Sequence, residues 1–131
     1  MKIIKVGSRP QKKASSDYFH GNVFQDAIIE APEPARVRAI KVSFEPKART
    51  AWHTHPLGQT LFVISGIGLV GLRNERPKII NVGDTVWISP YEEHWYGAAE
   101  DTSMEHIAIQ EALDGKVANW LEHVSDADYD I

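Results

Sequence analysis

Trp52-His53-Thr54-His55-Pro56-Leu57-Gly58-Gln59 is the stretch on which the reading of this chain turns. In a β-strand residues i and i+2 share one face and lie roughly 6.6 Å apart. His53 and His55 therefore point the same way, and two imidazoles so placed can chelate one divalent cation. The Pro56-Leu57-Gly58 turn then lets Gln59 swing an amide oxygen toward the same point. An isolated His-x-His pair is a weak signal, because exposed or core histidines produce the same pattern, so its surroundings decide what it means.

Those surroundings are β-rich. Short runs of apolar and β-branched residues recur at Lys2–Val6, Ala35–Phe44, Thr50–His55, Gln59–Ile64, Lys78–Asn81, Thr85–Ile88 and Met104–Gln110, each reading as a strand. Breakers stand between them, at Glu45-Pro46, Pro56-Leu57-Gly58, Arg73–Pro77, Gly83-Asp84 and Ser89-Pro90. Many short strands with regular turns predict an all-β sandwich or barrel. Ile40, Val42 and Phe44 share one strand face, and Met104, His106, Ala108 and Gln110 share another. One helix is predicted near the end, where Val117, Trp120, Leu121 and Val124 make an apolar stripe at helical spacing. A helical turn capped by Ser15 or Ser16 is expected over Ser15–Phe19. Gly66-Ile67-Gly68-Leu69-Val70-Gly71 formally fits GxGxxG, but polar Arg73–Pro77 follows it in place of a helix. It reads as part of a β-hairpin, not a nucleotide loop.

Composition sets the limits. The 131 residues suit one domain, 1–131, with a core that needs no staples. The chain has no cysteine, which excludes thiolate zinc, iron–sulfur and thiol redox chemistry, so a metal must be held by nitrogen and oxygen donors. Fourteen basic against eighteen acidic residues give a net charge of −4, which argues against a nucleic-acid surface. The apolar stretch Leu61–Leu72 is shorter than the roughly 20 residues a membrane helix takes. A soluble, cytoplasmic protein is expected, binding neither nucleic acid nor membrane.

Downstream of Gln59 come Gly66, at a spacing of seven, and then Gly83-Asp84…Pro90…His94. The pattern HxHxxxQ…G followed by GD…P…H resembles the two motifs of the cupin superfamily, here about 45–66 and 83–97. The resemblance implies a jelly-roll-like antiparallel β-barrel and, residue by residue, a metal held by His53, His55, Gln59 and His94. Lys47 and Tyr91 stand where the family commonly has glycine, Ser89 where proline is common, and Gln59 where most metal-binding cupins have Glu. Three neutral imidazoles and a neutral amide leave a +2 ion uncompensated, and so a stronger Lewis acid. Donors of this kind suit Mn, Fe, Co, Ni or Zn, and affinity order alone does not choose among them.

A narrower likeness runs along nearly the whole chain. Phe44-Glu45-Pro46, Ala48–Leu61, Gly83–Trp87, His106–Glu111, Leu113–Lys116 and Trp120…Glu122-His123-Val124 are similar to the bacterial manganese-dependent hydroxynitrile lyase cupins. The resemblance implies a lyase that splits cyanohydrins such as mandelonitrile into an aldehyde or ketone plus HCN, and runs the reverse addition. It puts manganese first among the metals. Within that reading His106 is the candidate base, because an unperturbed imidazole titrates near neutrality. Tyr96, two residues after His94 and on its face, would donate a proton or orient substrate. Ile40, Val42, Leu61 and Gln110 would line the pocket. Two rival readings use the same barrel: a dioxygenase acting on a small carbonyl or alkene, and a binding protein that catalyses nothing. A homodimer or homotetramer is expected, as many small cupins pair their sheets.

Overall fold

Alternating apolar residues and frequent turns give strands at almost every predicted place. The structure, a computed structural model, describes residues 1–130. Its strands are β1 (Lys12–Lys13), β2 (Phe19–His20), β3 (Val23–Glu30), β4 (Val37–Phe44), β5 (Arg49–Thr50), β6 (His53–Thr54), β7 (Gln59–Leu72), β8 (Lys78–Asn81), β9 (Thr85–Ile88), β10 (His94–Ala98), β11 (Met104–Glu111) and β12 (Asn119–Trp120). One helix, α1 (Asp126–Tyr129), follows. Every strand pairing is antiparallel. The result is a curled, jelly-roll-like sheet with two halves.

One half runs β1-β3-β4-β11-β7-β9, and the other is built from β2, β5, β10, β8, β6 and β12 around the far end of β7. β7 serves both. Gln59–Gly66 pairs with β11, and Ile67–Leu72 pairs with β8 and β10. The change of partner falls at Gly66, whose φ of +76° is the left-handed conformation and whose missing Cβ leaves room for the Ser103 carbonyl. The glycine run is thus one arm of a hairpin with β8, as expected, but it continues without a break from the preceding strand.

The core lies between the halves. Phe44, Leu61, Val63, Ile88, Met104 and Ala108 are sealed there with Tyr96. A second cluster, Trp52, Leu69, Trp95, Val124 and Tyr129, lies on the opposite face of β10, since Trp95 alternates with His94 and Tyr96. No helix among the described residues is long and apolar enough to cross a membrane.

Two local expectations are corrected. Lys2–Val6 is not a strand: it pairs with no other segment, and Ile3 and Val6 lie exposed. Val117–Val124 is not a helix. It runs extended over the barrel, with Asn119–Trp120 paired to His53–Thr54, while Trp52 and the tail exchange two further main-chain bonds. The short C-terminal helix starts later, capped by the Ser125 hydroxyl, which accepts from the Asp128 amide at 3.1 Å. β3 carries little sequence signal, because VFQDAIIE lacks clean alternation and has a charge at its centre. Near Ser15 the chain makes a turn, with the Tyr18 and Phe19 amides both bonded to the Ser15 carbonyl.

Candidate metal centre and cavity

β6 and the first residue of β10 are antiparallel neighbours, His53 directly opposite His94, and the strand alternation adds His55. The candidate ligand atoms of these three residues all lie within 4.8 Å of one another. Each Nδ1 is committed elsewhere, donating to a main-chain carbonyl: His53 to Ala51 at 2.9 Å, His55 to Val117 at 2.6 Å and His94 to Glu92 at 2.8 Å. A carbonyl oxygen only accepts, so the hydrogen sits on Nδ1 and every Nε2 keeps its lone pair. The Trp120 ring stacks on His53 at 4.5 Å, which fixes the imidazole from its other side.

Burial holds these rings neutral. It lowers the His53 and His55 pKa values and brings that of His94 to about 4, with the neighbouring imidazoles adding to the effect at His53. Neutral imidazole is the form that ligates a metal. The Nε2 atoms of His55 and His94 and the Oε1 of Gln59 are buried with no hydrogen-bond partner. Such atoms cost about 1–3 kcal/mol each when left unpaired. Gln59 is 3 % exposed and its amide lies beside His55. Three imidazole nitrogens and one amide oxygen fit a divalent first-row ion, and they bring no compensating negative charge.

A cavity of about 260 Å³ opens beside this cluster, a size suited to a small ligand. His55, Gln59 and Tyr96 form its polar end. Ile40, Val42 and Ala108 make an apolar wall, completed by Phe19, Val117 and Trp120. The Tyr96 hydroxyl donates toward His53 Nε2 at 3.3 Å, and burial raises its pKa, so it stays a protonated donor. Of the four residues expected around a substrate, Ile40, Val42 and Gln110 line this cavity. Leu61 does not, because it is fully buried in the core opposite Ala108.

His106 also lies away from the cavity. Its ring is sealed behind Tyr96, edge to face at 5.0 Å, and against Phe44 at 5.3 Å. Neither ring nitrogen has a partner, and burial brings its pKa down to about 3. As placed it is a weak base without contact to the cavity. Sequence reasoning also missed the polar residues Gln25, Glu30 and Arg38, which line the cavity; Glu30 and Arg38 are paired at 3.4 Å. Gln25 and Glu30 come from β3, and recognising that strand was the signal that could have found them.

Two departures from the expected motifs are conformational. Lys47 and Tyr91, the residues standing at glycine positions, have φ of +70° and +62°. The turns that frame the histidines have therefore kept a glycine-like backbone without the glycine.

Known proteins sharpen the picture. The chain is 52% identical over 129 residues, 98% of each sequence, to an (R)-mandelonitrile lyase of Granulicella tundricola. A cupin-like protein of Thermotoga maritima shares 38% identity and a TM-score of 0.85, over 98% of this chain and 95% of that one. The polyketide cyclase RemF of Streptomyces resistomycificus has the same fold at 15% identity, with a TM-score of 0.76 over 98% of this chain and 90% of its own. Residues 40–110 match the model of the cupin domain, and by that match and by the 52% relative the chain belongs to the cupin family.

Proposed function

We propose that this protein is a metal-dependent hydroxynitrile lyase that reversibly cleaves cyanohydrins such as mandelonitrile into an aldehyde or ketone plus HCN. The observation that carries the reading is the 52% identity, over 98% of both chains, to an (R)-mandelonitrile lyase. The site suits such a substrate: it is small, apolar on one side and polar at the end where His53, His55, Gln59 and His94 would hold one divalent ion. We assign manganese first. A bound ion supplies Lewis acidity, lowering the pKa of a substrate hydroxyl or polarising a carbonyl oxygen.

The chain's own residues do the rest. Tyr96 lines the cavity, and its protonated Oη, beside His53, donates a hydrogen bond to the substrate oxygen and so orients it. Ile40, Val42, Ala108 and Phe19 receive the aryl or alkyl group and keep water from it. His106, named from the sequence as the base, is screened by the Tyr96 ring; in this proposal it supports that ring and does not meet the substrate. The outer face of the first half presents Phe62, Trp87 and Ile109, all exposed, and we propose that it pairs with a second copy.

Elemental analysis of the purified protein, followed by an anaerobic assay on aromatic and aliphatic cyanohydrins, tests the reading. About one first-row ion per chain and turnover without oxygen are expected. His53→Ala and His94→Ala should lose the ion and more than about 100-fold in activity, beyond what altering an outer partner typically costs. Metal-loaded protein inert to the whole panel would end the lyase reading, and turnover only with oxygen would favour a dioxygenase.

A further inference from the structure

Arg38, Gln110 and Gln59 are successive Cα partners across β4, β11 and β7, one row of the first half of the barrel. The row ends at the metal-centre candidates, and its polar groups are connected. Gln110 Nε2 donates to the Arg38 main-chain carbonyl at 3.3 Å, and Gln59 Nε2 donates to Gln110 Oε1 at 3.0 Å.

We infer that Gln110 is a positioning residue that decides which end of the Gln59 amide faces His55 and His94. The inference rests on the metal-centre reading above.

An amide is nearly symmetric in shape, and a half-turn about its last bond exchanges oxygen for nitrogen. Only the oxygen has a lone pair to offer a cation; the nitrogen would bring two hydrogens toward it. Something must therefore choose between the ends, and the choice is made at Gln110 and Arg38, which are not among the candidate ligands. The Arg38 carbonyl can only accept, so Gln110 must turn its Nε2 that way. Its Oε1 is then left facing Gln59, which can satisfy it only with Nε2. What remains is Gln59 Oε1, buried and without a partner, in a side chain that lies beside His55. Each orientation follows from the one before.

The same row favours an amide over a carboxylate at position 59. A carboxylate has no hydrogen for Gln110 Oε1. Gln110 would have to turn over, setting its own oxygen against the Arg38 carbonyl. The residue that leaves the site without negative charge is thus selected by a neighbour that never touches the ion.

Mn(II) and, separately, Zn(II) titrated into metal-free protein by calorimetry provide the test, with thermal unfolding before metal addition confirming that each variant folds. Gln110→Met and Gln110→Ala remove the acceptor and should bind roughly 10- to 100-fold more weakly, the usual effect of losing an outer partner. Gln110→Glu keeps an acceptor facing Gln59 Nε2, at a cost in stability where its second oxygen meets the Arg38 carbonyl, and should bind the ion more tightly than Gln110→Met. The inference is overturned if the folded Met or Ala variant binds like the native protein while Gln59→Ala weakens binding. It is equally overturned if Gln110→Glu falls as far as Gln110→Met. Native protein that takes up neither ion would instead remove the metal-centre reading, and this inference with it.

Discussion

β10 and β4 both border the cavity, and they are built differently. β10 is buried at all five positions from His94 to Ala98, with the histidine side facing in and Trp95 locked into a second cluster behind it. That cluster is tied down by the tail: Tyr129 Oη donates to the Ala98 carbonyl at 2.7 Å, and buried Arg49 reaches the Val124 carbonyl at 3.0 Å and Asp126 at 2.8 Å. β4 is only half-buried over most of its length, and Ile40 faces open space. A strand packed on both faces cannot move, which suits ligand atoms that must meet at one point. A wall with room beside it is what admits a substrate. The difference separates holding from receiving.

The contrast predicts unequal costs. Trp95→Ala on the packed side should lose about 3–5 kcal/mol of stability, measured by denaturant unfolding. Ile40→Ala on the hollow side should lose about 1 kcal/mol, because it enlarges a cavity already open, and should act instead on substrate preference. Equal losses would erase the distinction. Within the site, Tyr96→Phe should lower kcat about 100-fold, the usual scale for one hydrogen bond to a reacting oxygen. His106→Phe, which keeps the volume behind Tyr96, should cost less than about tenfold; a loss as large as that of Tyr96→Phe would return His106 to the role of base.

Acid should find the same place. His106 is held neutral in the fold with its pKa near 3, against about 6.5 when unfolded. Between those values the unfolded chain takes up a proton that the folded one refuses. Stability is therefore full above pH 6.5 and falls as the pH drops toward 3, by about 1.4 kcal/mol per pH unit from this one group. Thermal unfolding across pH 4–7 should be less steep for His106→Phe than for the native protein. The smallest effect is expected at Lys47. A left-handed residue other than glycine is strained by roughly 1–2 kcal/mol, partly offset by the extra freedom glycine has when unfolded. Lys47→Gly should gain up to about 1 kcal/mol in the same unfolding measurement, with activity unchanged.

Much of this was legible in the sequence, for definite reasons. The face shared by His53 and His55 follows from strand alternation alone, and the family spacing brought in Gln59 and His94. The positions of Lys47 and Tyr91 marked the two turns whose backbone proved to be left-handed. The tail imitates a helix in sequence because Val117, Trp120, Leu121 and Val124 all point inward. They reach different targets, though, the first two the cavity and Val124 the Trp52 cluster, along an extended path that happens to imitate helical spacing. The surroundings of His106 were not legible, because alternation gives the face of a residue but not what stands in front of it. Tyr96 occupies that space, and its position depends on the pairing of β10 with β7, which local sequence does not specify.

β7 has a consequence for how this chain can vary. Gln59 is near its start and Val70, the register partner of Tyr96, is near its end, so one continuous strand is the length standard between the two sides of the site. The pairing with β11 slips by one residue at Ile64, but from Gln59 to Val63 it is regular, so adding or deleting one residue there would turn the amide from the interior to the outside. The Arg73–Pro77 turn just beyond carries no such constraint. Related sequences are therefore free to differ in length at the turn, while the five residues from Gln59 to Val63, ahead of the bulge, must keep their count.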